Sequence, residues 1–339
     1  MADDTTPKWE NLPPEFKMEV VGHLDVNARG SFLKSSESNK SHGELVPYDF
    51  RFVKISPQSF VPGEPLTFLF ETNDSTKIVD QAEVVMGILS IFKHKRSKVE
   101  TLEIGLLHED VINKSLYRLT KDLLRTIAGQ ILDGSQVSLK VKNFIWHGPV
   151  KDIRFPEFLS HFSKDHLVSM YLSIRGDIPV DVMDGIMDTE QWQQLKSLRV
   201  TARIHDDVGI FNHLEKVEVD VHGMNPAMFA DFVKQFHSKN LPHESYFAFH
   251  CPFQLDQEFE MYVYELVNAD VPNPIMMETS DRLGQDYGKM DMTDTTNKLL
   301  VLMKGSKLAA GMVCEENDCE LEMCHQVIQI RFRSFGVVP

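Results

Sequence analysis

Four potential metal ligands crowd CEENDCELEMCH at residues 314–325: Cys314, Cys319, Cys324 and His325. Thiolate and imidazole are the usual donors to zinc, but structural zinc sites pair them at C-x2–4-C with a second pair farther along. Here the spacing is C-x4-C-x4-C-H, and adjacent Cys324 and His325 would point to opposite faces of a strand. The stretch reads as a loop with buried thiols. IHDDVG, at 204–209, sets His205 beside Asp206 and Asp207 directly after a strand-like run, as a polar turn does. LHEDVIN, at 107–113, starts like a zinc-protease helix, but the second histidine would fall on Ile112. Asp181, Asp184 and Asp188 recur at helical spacing with Glu190 just beyond, which reads as a solvated face. Carboxylates that do acid–base work need surroundings that separate their pKa values. Neither a phosphate-cradling G-x-x-x-x-G-K-[ST] nor a G-x-S-x-G elbow occurs. No catalytic residue, metal or cofactor is therefore expected.

Composition points the same way. The chain has 339 residues and a net charge of −15, which disfavours a general nucleic-acid binder because phosphate contacts need clustered cations. One basic run, KHKRSK at 93–98, closes a predicted helix. It reads as a solvated helix end, with a local anionic contact as the other option. No apolar run approaches the length of a membrane span. The opening MADDTTPKWEN lacks the pattern of a signal peptide, and four cysteines suit a reducing compartment. The expected location is cytoplasmic, nuclear or both.

The elements that would position these residues fall into two patterns. Near the start, Leu12, Phe16, Val20 and Leu24 recur every four residues, with Val21 beside them. Pro13 and Pro14 suit a first helical turn. A second short helix carries Phe32 and Leu33 and runs into a Ser-rich stretch, 35–43, read as a linker. Beyond residue 46, strand-like and helical runs alternate. Helices are predicted over 81–92, 115–132, 179–192 and 225–236, the last capped by Asn225 with Pro226 in its first position. Strands are predicted over 65–70, 99–107, 136–146, 167–174, 195–204, 214–223 and 245–253, followed by PIMMETS, KLLVLMKG and VIQIRFRS. DRLGQDYGKMDMTDTT, 281–296, reads as a loop. The expected fold is α/β: a small all-α N-terminal module, then a strand–helix repeat domain. That domain is either degenerate leucine-rich-repeat-like or a mixed α/β sheet.

The opening segment resembles an F-box. Leu12-Pro13, Glu15, the Phe16–Val20–Val21–Leu24 rhythm, Asp25 and the Asn27-Ala28-Arg29 turn carry the resemblance over residues 8–48. Where that motif commonly has an aromatic, this chain has Asn39, Lys40, Ser41 and His42. Downstream, Glu190-Gln191-Trp192, then Phe211, His213 and Leu214, then MNPAMFADFVKQF resemble an FTH-type F-box-associated domain, a family expanded in nematodes. The implied organisation is an F-box over 8–48, strand–helix repeats over 49–149 and the associated domain over 150–339.

The resemblance implies a non-catalytic substrate adaptor of an SCF-type cullin–RING ubiquitin ligase. Its F-box would bind a Skp-type adaptor through Leu12, Pro13, Phe16, Val20, Val21 and Leu24. Its C-terminal domain would select a protein target, by residues the sequence does not identify. A repeat-type protein-binding scaffold outside the ubiquitin system is the alternative.

Overall fold

The computed structural model describes residues 9–24, 26–59, 67–73, 75–105, 114–133, 138–151, 153–205, 207–239, 241–242, 244–251, 257–268, 277–279, 287–293, 298–304 and 308–314. Two compact units divide the chain, Met1–Leu167 and Val168–Pro339. Both are mixed α/β, as expected.

The first unit opens on a 3-10 turn, Trp9–Asn11, and three short helices, α1 (Pro14–Gly22), α2 (Val26–Ser35) and α3 (Glu37–Glu44). Helix α3 occupies the Ser-rich stretch read as a linker. Ser36 is the reason: its Oγ accepts the Asn39 amide at 3.1 Å, a helix-start bond. Then come β1 (Asp49–Ser59), β2 (Thr67–Thr72), β3 (Thr76–Val79), α4 (Gln81–Lys93), β4 (Lys98–Gly105), α5 (Lys114–Asp133), β5 (Val141–His147) and α6 (Phe155–Ser160). The sheet order is β5-β4-β1-β2-β3, with β1, β4 and β5 parallel and β2 and β3 antiparallel. Register aligns Val53, Leu102 and Phe144, then Ile55, Ile104 and Trp146, all buried. Phe144 and Trp146 pack on Phe155 and Phe158 of α6, with ring centroids 5.5–6.4 Å apart. Gly105 holds φ at +112°, and a Cβ there would lie 2.0 Å from the His147 carbonyl oxygen, so only glycine fits.

The second unit contains β6 (Ser169–Ser173), α7 (Val180–Met187), α8 (Glu190–Gln194), β7 (Ser197–Ile204), a 3-10 turn at Val208–Phe211, β8 (Lys216–Val221), α9 (Pro226–Ser238) and β9 (Tyr246–His250). It continues with α10 (Gln257–Asn268), β10 (Met277–Thr279), β11 (Tyr287–Thr293), β12 (Lys298–Lys304) and β13 (Leu308–Cys314). Strands β6 to β9 lie side by side in chain order and run parallel; β13, β12, β11 and β10 extend the sheet antiparallel from β9. Two expectations are corrected here. The helix predicted over 179–192 is two helices, because Thr189 Oγ1 donates to the Ile186 carbonyl at 2.7 Å and accepts the Trp192 amide at 3.2 Å, starting a new helix. The stretch read as a loop, 281–296, contains β11. Its backbone pairing with β12 does not require apolar side chains.

Alternation of period two sorts the β6–β9 faces. Leu198, Val200, Ala202 and Ile204 are buried, in register with Val217, Val219 and Val221 of β8 and, beyond them, Phe247 and Phe249 of β9. Phe229, Phe232 and Phe236 of α9 meet Phe247 edge-on at 5.1–6.0 Å. As expected, Asn225 Oδ1 accepts the Ala227 and Met228 amides at 2.9 and 3.4 Å, capping α9.

Candidate functional site

The N-terminal helices carry the residues expected to meet an adaptor, and their exposures differ. Phe16 is 51 % exposed and Val21 is fully buried. Leu12, Val20 and Leu24 are half-buried, and Pro13 is exposed. The inward face of α1 is therefore not the four-residue apolar rhythm. It is Val21 and, one turn earlier, the stem of Lys17, which is 7 % exposed. Lys17 Nζ donates to the Glu10 carbonyl at 3.1 Å and lies 6.0 Å from the Trp9 ring centre. A lysine can bury its methylenes while its head keeps a polar partner.

Trp9 packs edge-on against Phe32 of α2 at 5.1 Å and donates its Nε1–H to Asn39 Oδ1 of α3 at 2.8 Å. Asn39 stands where the resemblance expected an aromatic, and here it binds one. Arg29, 4 % exposed, closes the module's far end. Its guanidinium donates to the Val46 and Pro47 carbonyls and sits 3.8 Å over the Tyr48 ring, just before β1. Neither role is legible in the sequence. A partner 18 or 30 residues away leaves no local pattern.

The residues that carried the downstream resemblance come together in the second unit. Trp192 is 3 % exposed and lies 6.2 Å from Phe211 and 5.0 Å from His213, ring centre to ring centre. His213 Nε2–H donates to the Trp192 carbonyl at 2.9 Å. Burial holds His213 below the usual imidazole range, although its backbone bonds to Trp192 and Ile210 oppose that. Leu214 and Gln191 are buried and Glu190 is exposed. These residues make a packing cluster that fixes α8 and the 208–211 turn beside the strands.

The titratable groups lie apart from this cluster. In the first unit Glu103 lies 3.0 Å from Lys54 Nζ and 3.5 Å from His147 Nε2. The hydrogen bond to His147, then that to Lys54, holds its carboxyl below the usual range against the cost of burial. In the second, Arg199 stacks on Tyr171 at 4.8 Å and approaches Glu218 at 3.5 Å. His205 Nε2 meets Asp177 at 3.1 Å, and its ring lies 4.4 Å from that of His222. Asp207 Oδ1 accepts the Gly209 amide at 2.8 Å, a turn-forming bond. Asp181, Asp184, Asp188 and Glu190 are all exposed. Cys251 is fully buried beyond β9. Among the described residues no three His, Cys, Asp or Glu side chains are arranged to hold a metal. Of the 314–325 cluster only Cys314, at the end of β13, lies among the described residues; LHEDVIN and VIQIRFRS lie outside them. No described helix is long and apolar enough to cross a membrane.

No curated protein and no solved structure matches the chain. Residues 121–251 match the family model of the FTH domain, an F-box-associated domain family, so the chain carries an FTH-type domain running from α5 to the end of β9.

Proposed function

We propose that this chain is a non-catalytic substrate adaptor of an SCF-type cullin–RING ubiquitin ligase, working in the cytoplasm, the nucleus or both. The observation that carries the reading is Phe16. It is 51 % exposed on α1, flanked by exposed Pro13 and half-buried Leu12 and Val20, ahead of an FTH-type domain. Full burial of a large apolar side chain contributes about 1.5–3 kcal/mol, so the half of Phe16 left in water forgoes roughly half of that, which a partner's surface would supply. A Skp-type adaptor is the partner proposed for this face, together with Leu12, Pro13, Val20, Val21 and Leu24. Val21, being buried, would act by holding α1 in shape. The FTH-type domain would present the target.

Co-purification tests the reading. The full chain should retain a Skp-type adaptor, and a chain lacking residues 1–48 should lose it. Phe16→Asp should reproduce that loss at little cost in melting temperature, because half of the side chain is already exposed. Equal retention by all three proteins refutes the proposal. The chain-order parallel strands β6 to β9 favour a second reading, a repeat-type scaffold outside the ubiquitin system. Binding of another protein with no Skp-type adaptor retained would support it.

A further inference from the structure

One edge of the first unit's sheet gathers cations that are distant in sequence. The Val99 amide donates to the Lys140 carbonyl at 2.9 Å, so the starts of β4 and β5 are adjacent. The Lys98 amide donates to the Tyr48 carbonyl at 2.8 Å, which brings the start of β1 alongside. On the other side, the Ser163 amide donates to the Leu139 carbonyl at 2.9 Å, drawing the 161–164 segment to the same edge. The turn between α4 and β4 is closed by the Arg96 amide donating to His94 Nδ1 at 3.1 Å. Lys95, Arg96, Lys98, Lys142 and Lys164 are exposed and Lys140 is half-buried.

Few carboxylates answer Lys95, Arg96, Lys98, Lys140 and Lys142. Glu100 pairs with Lys142 at 3.1 Å, Asp49 stands opposite Lys98 in register, and Asp165 follows Lys164. Among the described residues no carboxylate lies within ion-pair distance of Lys95, Arg96, Lys98 or Lys140. Two imidazoles register the positive field. His94 is held below its usual range by burial, then by Arg96, Arg29 and Lys140. His166 is held down by burial, then by Lys140 and Lys98, with Asp165 opposing. Such a surplus is out of character for a chain with 35 basic and 50 acidic residues.

We propose that this edge, built from Lys95, Arg96, Lys98 and Lys140, docks a carboxylate-rich segment of a partner protein. Adjacent strands lie about 4.8 Å apart, so three neighbouring strand starts span about 10 Å, the length of a few extended residues. A short acidic segment fits inside that span. A nucleic acid would run past it onto a chain whose net charge is −15, where repulsion acts within a Debye length of about 8 Å. The proposal does not depend on the ubiquitin-ligase reading.

Fluorescence anisotropy on the purified full chain tests it, with three labelled probes: a tetraglutamate peptide, a tetraserine peptide and a 20-nucleotide single-stranded DNA. Tetraglutamate should bind, tetraserine should not, and raising salt from 50 to 300 mM should weaken binding about tenfold or more. K98E/K140E should abolish binding and K98Q/K140Q should weaken it about tenfold, while K77E on β3 leaves it unchanged. Circular dichroism melts establish that the variants fold, and retention of the Skp-type adaptor reports separately on Phe16. Tetraglutamate affinity unchanged in K98E/K140E, or no binding at 50 mM salt, overturns the proposal. Tighter DNA binding through the same lysines overturns it in favour of a nucleic-acid interface.

Discussion

Arg29→Met probes what fastens the helical module to the first unit's sheet. Methionine keeps the length and apolar stem of arginine and removes the guanidinium. The native side chain makes two hydrogen bonds, to the Val46 and Pro47 carbonyls, and one cation–π contact at 3.8 Å. Charge-assisted hydrogen bonds contribute about 1.5–3 kcal/mol each and a desolvated cation–π contact about 2 kcal/mol. Burial opposes them: it lowers the Arg29 pKa, with Tyr48 pulling the other way. Met relieves that desolvation but leaves two carbonyls without their donor. The net expectation is a loss of about 2–4 kcal/mol. For a unit of this size that is about 4–16 °C in the midpoint of its transition. Differential scanning calorimetry reads the shift, and limited proteolysis reads cleavage between α3 and β1. Arg29→Lys should lie between the two proteins, since one ammonium cannot reproduce the planar fork. A melting temperature within about 1 °C of the native chain, with an unchanged cleavage pattern, refutes the reasoning.

Other outcomes follow from the packing and the charges. Trp192→Ala should cost about 3–5 kcal/mol in urea unfolding, because the ring is 3 % exposed and leaves Phe211 and His213 facing a cavity. Gly105→Ala should cost more than about 2 kcal/mol, since φ is +112° and the new Cβ would lie 2.0 Å from the His147 oxygen; a neutral result would mean the strand ends readily separate. Acid should destabilise the fold. His94, His166 and His213 titrate below their unfolded value near 6.5, so between the two values the unfolded chain binds more protons. Their contribution is complete above about pH 6.5 and is lost as pH falls through the folded values. The urea midpoint should therefore drop from pH 7.5 to 5.5, and His213→Gln should flatten that slope; a flat native profile contradicts the sign.

Much of the fold could be read from local pattern. The alternation of SLRVTARI is the burial alternation of β7, and Asn225-Pro226 starts α9 where expected. Reading failed where backbone bonds or distant partners decide. Strand β1, DFRFVKISPQS, mixes charges with apolar residues, yet Phe50, Val53 and Ile55 are buried between parallel and antiparallel neighbours. The serines of 35–43 read as a linker, but one of them starts α3. Helix α10, QEFEMYVYELVN, shows only a narrow stripe, Phe259, Val263 and Val267, that α9 helps to cover. At the candidate site, Phe16 and Val21 look equivalent in a linear pattern. Only the positions of Trp9, Lys17 and the neighbouring helices sort them into exposed and buried.

The order in which the second unit's strands are made differs from the order in which its sheet closes. Strand β9 ends at His250, but its outer neighbour is β13, which ends at Cys314. During synthesis at about 5–20 residues per second, the backbone groups on that side of β9 wait about 3–13 s for their partner. The wait is set by the 64 residues from 250 to 314. Gly311 explains part of the fit once β13 arrives, since any Cβ there would strike the Phe247 ring at 2.3 Å. A nascent chain of this kind exposes an unpaired strand edge, a template for mispairing, for longer than it would if the next strand made were the next to pair.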